Sequence, residues 1–177
     1  MKNLLKIMMF TMLITFVSAC GEKKLTENDV KAAEAKLYNE DMTANTDAVP
    51  EVVETFTKFA AENTDNTLAP EYLFKAFEIA LNFMDADKAI EIGNNLIATY
   101  PSFDKTPAAL LLLGMKYEDV GELGKAKDAY EQLIKDYPDN VFVPSAQACI
   151  DNLGKTPEEL IREFEAKADS IPETVIE

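Results

Sequence analysis

The reactive inventory of this chain is two thiols, 32 carboxylates and no imidazole at all. Without histidine the usual serine and cysteine triads lack their base, and most zinc sites lack a ligand. Cys149 follows an apolar pattern with helical spacing (Ala146, Cys149, Ile150, Leu153), with no base in sight to activate it, so it reads as a small core residue. Neighbouring carboxylates such as Glu158 and Glu159, or Asp85 and Asp87, can be written as acid–base couples. That chemistry needs surroundings that split the two pKa values, and neither pair lies in a pattern suggesting a buried cleft. Asp85-Ala86-Asp87 and Asp136-Tyr137-Pro138-Asp139-Asn140 come nearest to a calcium loop, yet neither has EF-hand spacing. There is no glycine-rich phosphate loop. The chain is expected to carry no catalytic residue, no metal site and no cofactor.

Cys20 suggests a different chemistry. Met1 to Lys6 holds two lysines and no acid, Ile7 to Val17 is an uncharged run of 11 residues, and Ser18-Ala19 are small. A basic start, a short apolar stretch and a small-residue exit describe a secretory signal peptide. The run is too short to span a bilayer, which takes roughly 20 residues. Val17-Ser18-Ala19-Cys20 resembles the lipobox of bacterial lipoproteins. That resemblance implies diacylglycerol on the Cys20 thiol, cleavage just before it and acylation of the new amino terminus. Two or three acyl chains would hold a soluble domain firmly on a membrane. Gly21 stands where that class carries an inner-membrane retention aspartate, so the resemblance points to the outer membrane, facing the periplasm.

The elements that position everything else come from a repeat. Pro70, Pro107 and Pro144 are spaced by 37 residues, as are Pro101 and Pro138, Tyr100 and Tyr137, Ile97 and Ile134, and Leu96 and Leu133, with Phe59 one interval earlier. Agreement at so many positions is the signature of a repeat array. In the clearest unit Pro107 opens a helix through Tyr117, where its missing N–H is tolerated. Asp119 to Gly124 makes a turn, and a second helix, Lys125 to Asp136, puts Ala126, Ala129, Tyr130 and Leu133 on one face. Tyr137-Pro138 then stops it.

Leu110-x-x-Leu113-Gly114-x-x-Tyr117, followed by Ala126-x-x-x-Tyr130 and Pro138, resembles the tetratricopeptide repeat. The expected fold is therefore all-α: a short TPR-like α-solenoid of stacked antiparallel helix pairs with capping helices. Gly114 and Ala126 are expected where the two helices of a unit come close, and Tyr117 and Tyr130 between units. In the preceding unit Leu73, Ala76, Ala80, Ala89, Gly93, Leu96 and Pro101 keep phase. There Phe77 replaces the small residue and Ala80 the aromatic, so large and small are expected to have exchanged. Tyr-Pro followed by a short polar loop is similar to envelope proteins of this class, of the outer-membrane β-barrel assembly and Tol-Pal-associated type.

Laid along the chain, these readings give a signal peptide over 1–19, a lipidated linker over 20–25, a helical domain over 26–170 and a loose tail over 171–177. Within the domain a degenerate unit covers 26–66, two units cover 70–103 and 107–140, and capping helices cover 144–170. Thr26 to Asp41 is expected as helix, with Thr26 and Asp29 as a capping box, and Met42 to Val49 as a polar loop. Thr156-Pro157-Glu158-Glu159 should open a last helix that buries Leu160, Ile161 and Phe164 and leaves a polar outer face.

Without residues 1–19 the chain has 158 residues and a net charge of −17. Such a surface excludes nucleic acid and any flat binding to anionic lipid, both of which need clustered Lys and Arg. The resemblance implies that the first helix of each unit lines a concave face. Glu71, Phe74, Glu78 and Leu81 would project there from one unit, and Leu111, Met115, Glu118 and Asp119 from the next. Apolar residues among acids suit a basic–apolar segment of an envelope protein or peptide. Phe74 and Leu111 stand where chaperone-binding relatives place a carboxylate-clamping lysine, so that role is not expected. Two functions follow: an interaction scaffold in cell-envelope assembly or maintenance, or a structural, self-associating acidic lipoprotein with no dedicated peptide groove. Apolar area left exposed on the concave face would favour the first, and a covered face the second.

Overall fold

The computed structural model describes residues 23–169. The signal segment, Cys20 and the tail 171–177 lie outside them. Eight α-helices follow in order: α1 (Glu27–Ala35), α2 (Val49–Glu62), α3 (Ala69–Phe83), α4 (Ala86–Thr99), α5 (Thr106–Asp119), α6 (Leu123–Asp136), α7 (Val143–Asn152) and α8 (Pro157–Asp169). No strand occurs among the described residues. Helices adjacent in sequence pack on one another down the chain from α1 to α7. Turns of two or three residues join α3 to α4 and α5 to α6, which makes each pair antiparallel. The fold is an all-α solenoid of stacked helix pairs.

Local chemistry sets the helix starts. Pro50, Pro70, Pro107 and Pro144 fall in the first turn of α2, α3, α5 and α7, where no intrahelical N–H is lost. Asp85 caps α4 by accepting the Lys88 N–H at 2.9 Å. Thr26 donates its N–H to Asp29 Oδ2 at 2.7 Å before α1, and the Thr156 N–H reaches Glu159 Oε2 at 2.9 Å before α8. At the end of α5, Gly121 has φ +78°, a left-handed conformation that favours glycine. Its N–H bonds Glu118 O at 2.9 Å and the Glu122 N–H bonds Tyr117 O at 2.8 Å, closing a Schellman motif.

The 37-residue period is visible in the backbone of the junctions between units. Asn66, Phe103 and Asn140 each donate an N–H three residues back, to Asn63, Tyr100 and Tyr137 (2.8, 3.1 and 2.9 Å). Ala69, Thr106 and Val143 then donate to Asn66, Phe103 and Asn140 (3.0, 3.0 and 3.1 Å). Tyrosine side chains tie the second and third junctions to the unit before. Tyr100 Oη donates to Ala60 O at 3.2 Å, and the Tyr137 hydroxyl donates to Pro101 O.

One contact shows how the units vary without losing phase. A Cβ on Gly114 would lie 2.3 Å from Tyr130 Cε1, and one on Gly93 would lie 2.7 Å from Phe77 Cε2. Phe77 and Gly114 are one period apart, and so are Gly93 and Tyr130. The same α–α approach is filled by a ring from the first helix in one unit and from the second helix in the next. The exchange expected between Phe77 and Ala80 therefore runs between Phe77 and Gly93. Tyr130 fills space inside its own unit and also reaches the next, where Cys149 of α7 lies beside its hydroxyl. Tyr117 does bridge units, its Oη accepting from Asn94 Nδ2 at 2.8 Å.

Two expectations are corrected. The helix expected to Asp41 ends at Ala35, because Asn39, Asn45 and Thr43 bind nearby backbone and side chains instead of extending it. The last helix does not bury its apolar stripe: Ile161 is 59% and Phe164 74% exposed, with Leu160 only half-buried. The reason lies one element earlier. At 10 residues α7 is a turn shorter than α3 or α5, so α8 departs from the array before it can close over the core.

Candidate interaction surface

The face presented by α3 and α5 carries the residues expected at a binding groove, and most of them already have partners. Phe74 is 5% exposed, with Phe103 edge-on to its ring at 6.3 Å between centroids and Lys105 Nζ 5.2 Å above it. It belongs to the core. Leu81 and Leu111 are half-buried against the same cluster. Glu71 Oε1 binds Lys105 Nζ at 2.7 Å, and Asp119 Oδ2 binds Lys116 Nζ at 3.0 Å. Glu118 accepts the hydroxyl of the fully buried Tyr130. That leaves Glu78, exposed and unpaired among the described residues, and Met115, 48% exposed.

Ion pairs on this face link successive first helices. Glu34 holds Lys75 at 2.7 Å as Glu71 holds Lys105, and Glu34 and Glu71 occupy the same place one period apart. The acids expected to meet a basic partner are thus partly neutralised from within.

The chemistry of buried groups is structural. Burial, followed by the hydrogen bond to Glu118 and the neighbouring Cys149, pushes the Tyr130 hydroxyl well above its ordinary pKa. Cys149 is a free, half-buried thiol. No group of three or more His, Cys, Asp or Glu is arranged to hold a metal among the described residues.

A second surface was not foreseen. Leu37, Tyr38, Ala44, Asn45, Thr46, Val49, Ile79 and Phe83 line an apolar cavity of about 190 Å3 at the rim, between the α1–α2 connection and the carboxyl end of α3. The connection is tightly built. Tyr38 pairs with Ala44 in an isolated antiparallel bridge. The Asn39 N–H donates to Thr43 O at 2.9 Å, and Asn45 Nδ2 donates to Lys36 O at 3.0 Å. At its tip Met42 has φ +65°, a left-handed conformation that costs a residue with a Cβ of order 1 kcal/mol and persists only where its surroundings dictate it. The result is to hold Tyr38, Met42 and Phe83 in solvent, each more than half exposed. Two sequence signals pointed here: Leu37-Tyr38 just past the last helical turn, and Phe83-Met84 just before the Asp85 cap.

No protein-family model matches the chain, and no curated protein is significantly similar to it.

Proposed function

We propose that the chain is a lipoprotein of the bacterial envelope, held on the outer membrane through Cys20 and facing the periplasm. It works there as a protein-interaction scaffold in envelope assembly or maintenance. The lipobox-like Val17 to Cys20 segment supports the anchor, and the tetratricopeptide-like pattern within the 37-residue repeat supports the scaffold. The observation that carries the scaffold reading is the contrast on an acidic domain between paired charges and unpaired apolar side chains. Most acids of the first-helix face have internal partners, while Met115, Tyr38, Met42 and Phe83 stand in water. Of these, Tyr38 and Phe83 share one apolar cavity, the kind of exposed apolar feature that marks interaction sites.

Fractionation and crosslinking from native membranes test it. The wild-type protein should partition with outer membranes and capture one envelope protein. Cys20→Ala should move it to the soluble fraction, and Glu78→Lys/Met115→Asp/Phe83→Asp should abolish capture without loss of helicity. Wild-type partitioning unchanged by Cys20→Ala removes the anchor, and identical captures by both forms remove the scaffold. A second reading, self-association, is favoured by the uncovered Ile161 and Phe164 on α8. It predicts that the protein captures itself and that Phe164→Asp abolishes this.

A further inference from the structure

We infer that the rim cavity beside Tyr38 and Phe83 is a docking pocket for one leucine- or phenylalanine-sized side chain flanked by lysine or arginine on a segment of another protein. This deepens the scaffold reading and rests on it. Three observations lead to it. The first is size: at about 190 Å3 the cavity exceeds the roughly 150 Å3 apolar space that admits a benzene ring. Its walls are almost wholly hydrocarbon, from Leu37, Val49, Ile79 and Phe83.

The second is rigidity. The wall supplied by residues 37–45 is closed by backbone and side-chain hydrogen bonds on both arms, with Thr43 Oγ1 also donating to Asp41 at 2.6 Å. A preformed pocket avoids the ordering cost that weakens binding to mobile loops.

The third is charge. Asp47 and Glu78 adjoin lining residues in the chain, Glu40 lies two residues past Tyr38 in the same connection, and all three are exposed with no partner among the described residues. The nearest lysines in sequence, Lys36 and Lys75, are held by Glu51 at 2.5 Å and Glu34 at 2.7 Å. The rim is left with a negative surplus around an apolar centre. That pattern disfavours three other occupants. A second copy would bring the same acids, the segment after Asp169 carries two glutamates and no base, and anionic lipid would be repelled. Opposite charge on the partner would raise the association rate and fix the register, and the apolar side chain would supply affinity.

Peptide binding to the full chain provides the test, with three synthetic probes of one length. One has a Leu-Phe centre between paired lysines, one has the lysines replaced by glutamates, and one has the centre replaced by Ser-Gly. The lysine-flanked Leu-Phe peptide should bind about tenfold or more tightly than either counterpart, the order expected for burying one such side chain. Phe83→Asp should weaken it by a similar factor. Glu40→Lys/Glu78→Lys should weaken it several-fold and flatten its salt dependence. Both changes fall on exposed residues, so helicity should be retained in each.

Equal binding of the three probes, or affinity untouched by Phe83→Asp, overturns the pocket. So does a wild-type dimer that Phe83→Asp dissolves, since a second copy would then be the occupant. Met115→Asp separates the two levels of the argument. If it abolishes peptide binding while Phe83→Asp does not, the scaffold stands on its first-helix face and the rim pocket falls. If neither peptide nor membrane partner binds, both fall.

Discussion

The close approaches at Gly114 and Gly93 can be tested by adding a single methyl group. In an ordinary helix interior, Gly→Ala stabilises by about 1 kcal/mol through propensity. At Gly114 the new Cβ would stand 2.3 Å from Tyr130 Cε1, 2.7 Å from Cδ1 and 2.7 Å from Cζ. Ordinary carbon–carbon contact is about 3.5–4.0 Å, so more than about 1 Å must be absorbed. Tyr130 is fully buried with its hydroxyl tied to Glu118, and cannot swing away. With three ring atoms inside contact distance the overpacking cost lies toward the upper end of the usual range, about 2–3 kcal/mol, which less the propensity gain of about 1 kcal/mol leaves a net loss of about 1–2 kcal/mol. For a domain of this length that is a drop in Tm of roughly 2–8 °C.

Gly93→Ala meets Phe77 Cε2 at 2.7 Å but only one other ring atom at 3.0 Å, so its loss should be smaller. Gly124, with nothing within 4 Å of its Cβ position, should be neutral or gain up to about 1 kcal/mol. Urea unfolding followed by circular dichroism ranks the three. The exchange itself adds a stricter arm: Gly114→Phe/Tyr130→Gly rebuilds the Phe77–Gly93 arrangement and should be more stable than the two single variants predict by addition. Gly114→Ala matching or exceeding the wild type would refute the close-approach argument. A strictly additive double variant would refute the exchange.

Three further outcomes follow from the same packing. Glu118→Ala strands the buried Tyr130 hydroxyl and should cost about 1–3 kcal/mol, more than Tyr130→Phe, as urea midpoints would show. Burial first, and for Tyr130 also Glu118, raises the pKa of Tyr72, Tyr100, Tyr130 and Tyr137. The folded state thus holds these protons more tightly, so the tyrosines' contribution to stability should be complete below the unfolded value near 10 and be lost as pH rises from there through the raised folded values, with tyrosinate absorbance appearing late until the chain unfolds. Glu71→Ala and Glu34→Ala remove partly exposed ion pairs and should each cost under about 1 kcal/mol, a loss that high salt should erase.

The repeat and its helix pairs were readable because a 37-residue spacing survives in residue types, and type is what a spacing argument measures. Gly93 and Tyr130 also share that spacing, but a period does not say which side chains meet across a helix pair. Phe77 was therefore matched with Ala80 on its own helix instead of Gly93 opposite. The neutralised acids were hidden for the same reason. Glu34–Lys75 and Glu71–Lys105 join positions 41 and 34 residues apart, separations that belong to no single element. Helix α8 announced its start through Thr156 and Pro157, and its apolar stripe through periodicity. Periodicity reveals a stripe and is silent on what covers it, and here the short α7 leaves it bare. The rim cavity needed three segments brought together, from Leu37, Val49 and Phe83.

The junctions at Asn63 to Ala69, Tyr100 to Thr106 and Tyr137 to Val143 repeat the same backbone bonds although only some of their side chains agree. Asn66 and Asn140 brace the following N–H, of Leu68 at 2.8 Å and Phe142 at 3.0 Å, while Phe103 between them packs inward instead. Each splice is therefore written in main chain, and a whole cassette can be removed or duplicated with every cut end meeting a splice it already fits. The array is a ruler graduated in steps of one helix pair. Its length is set in whole units, and every junction offers the same main-chain seam to the next.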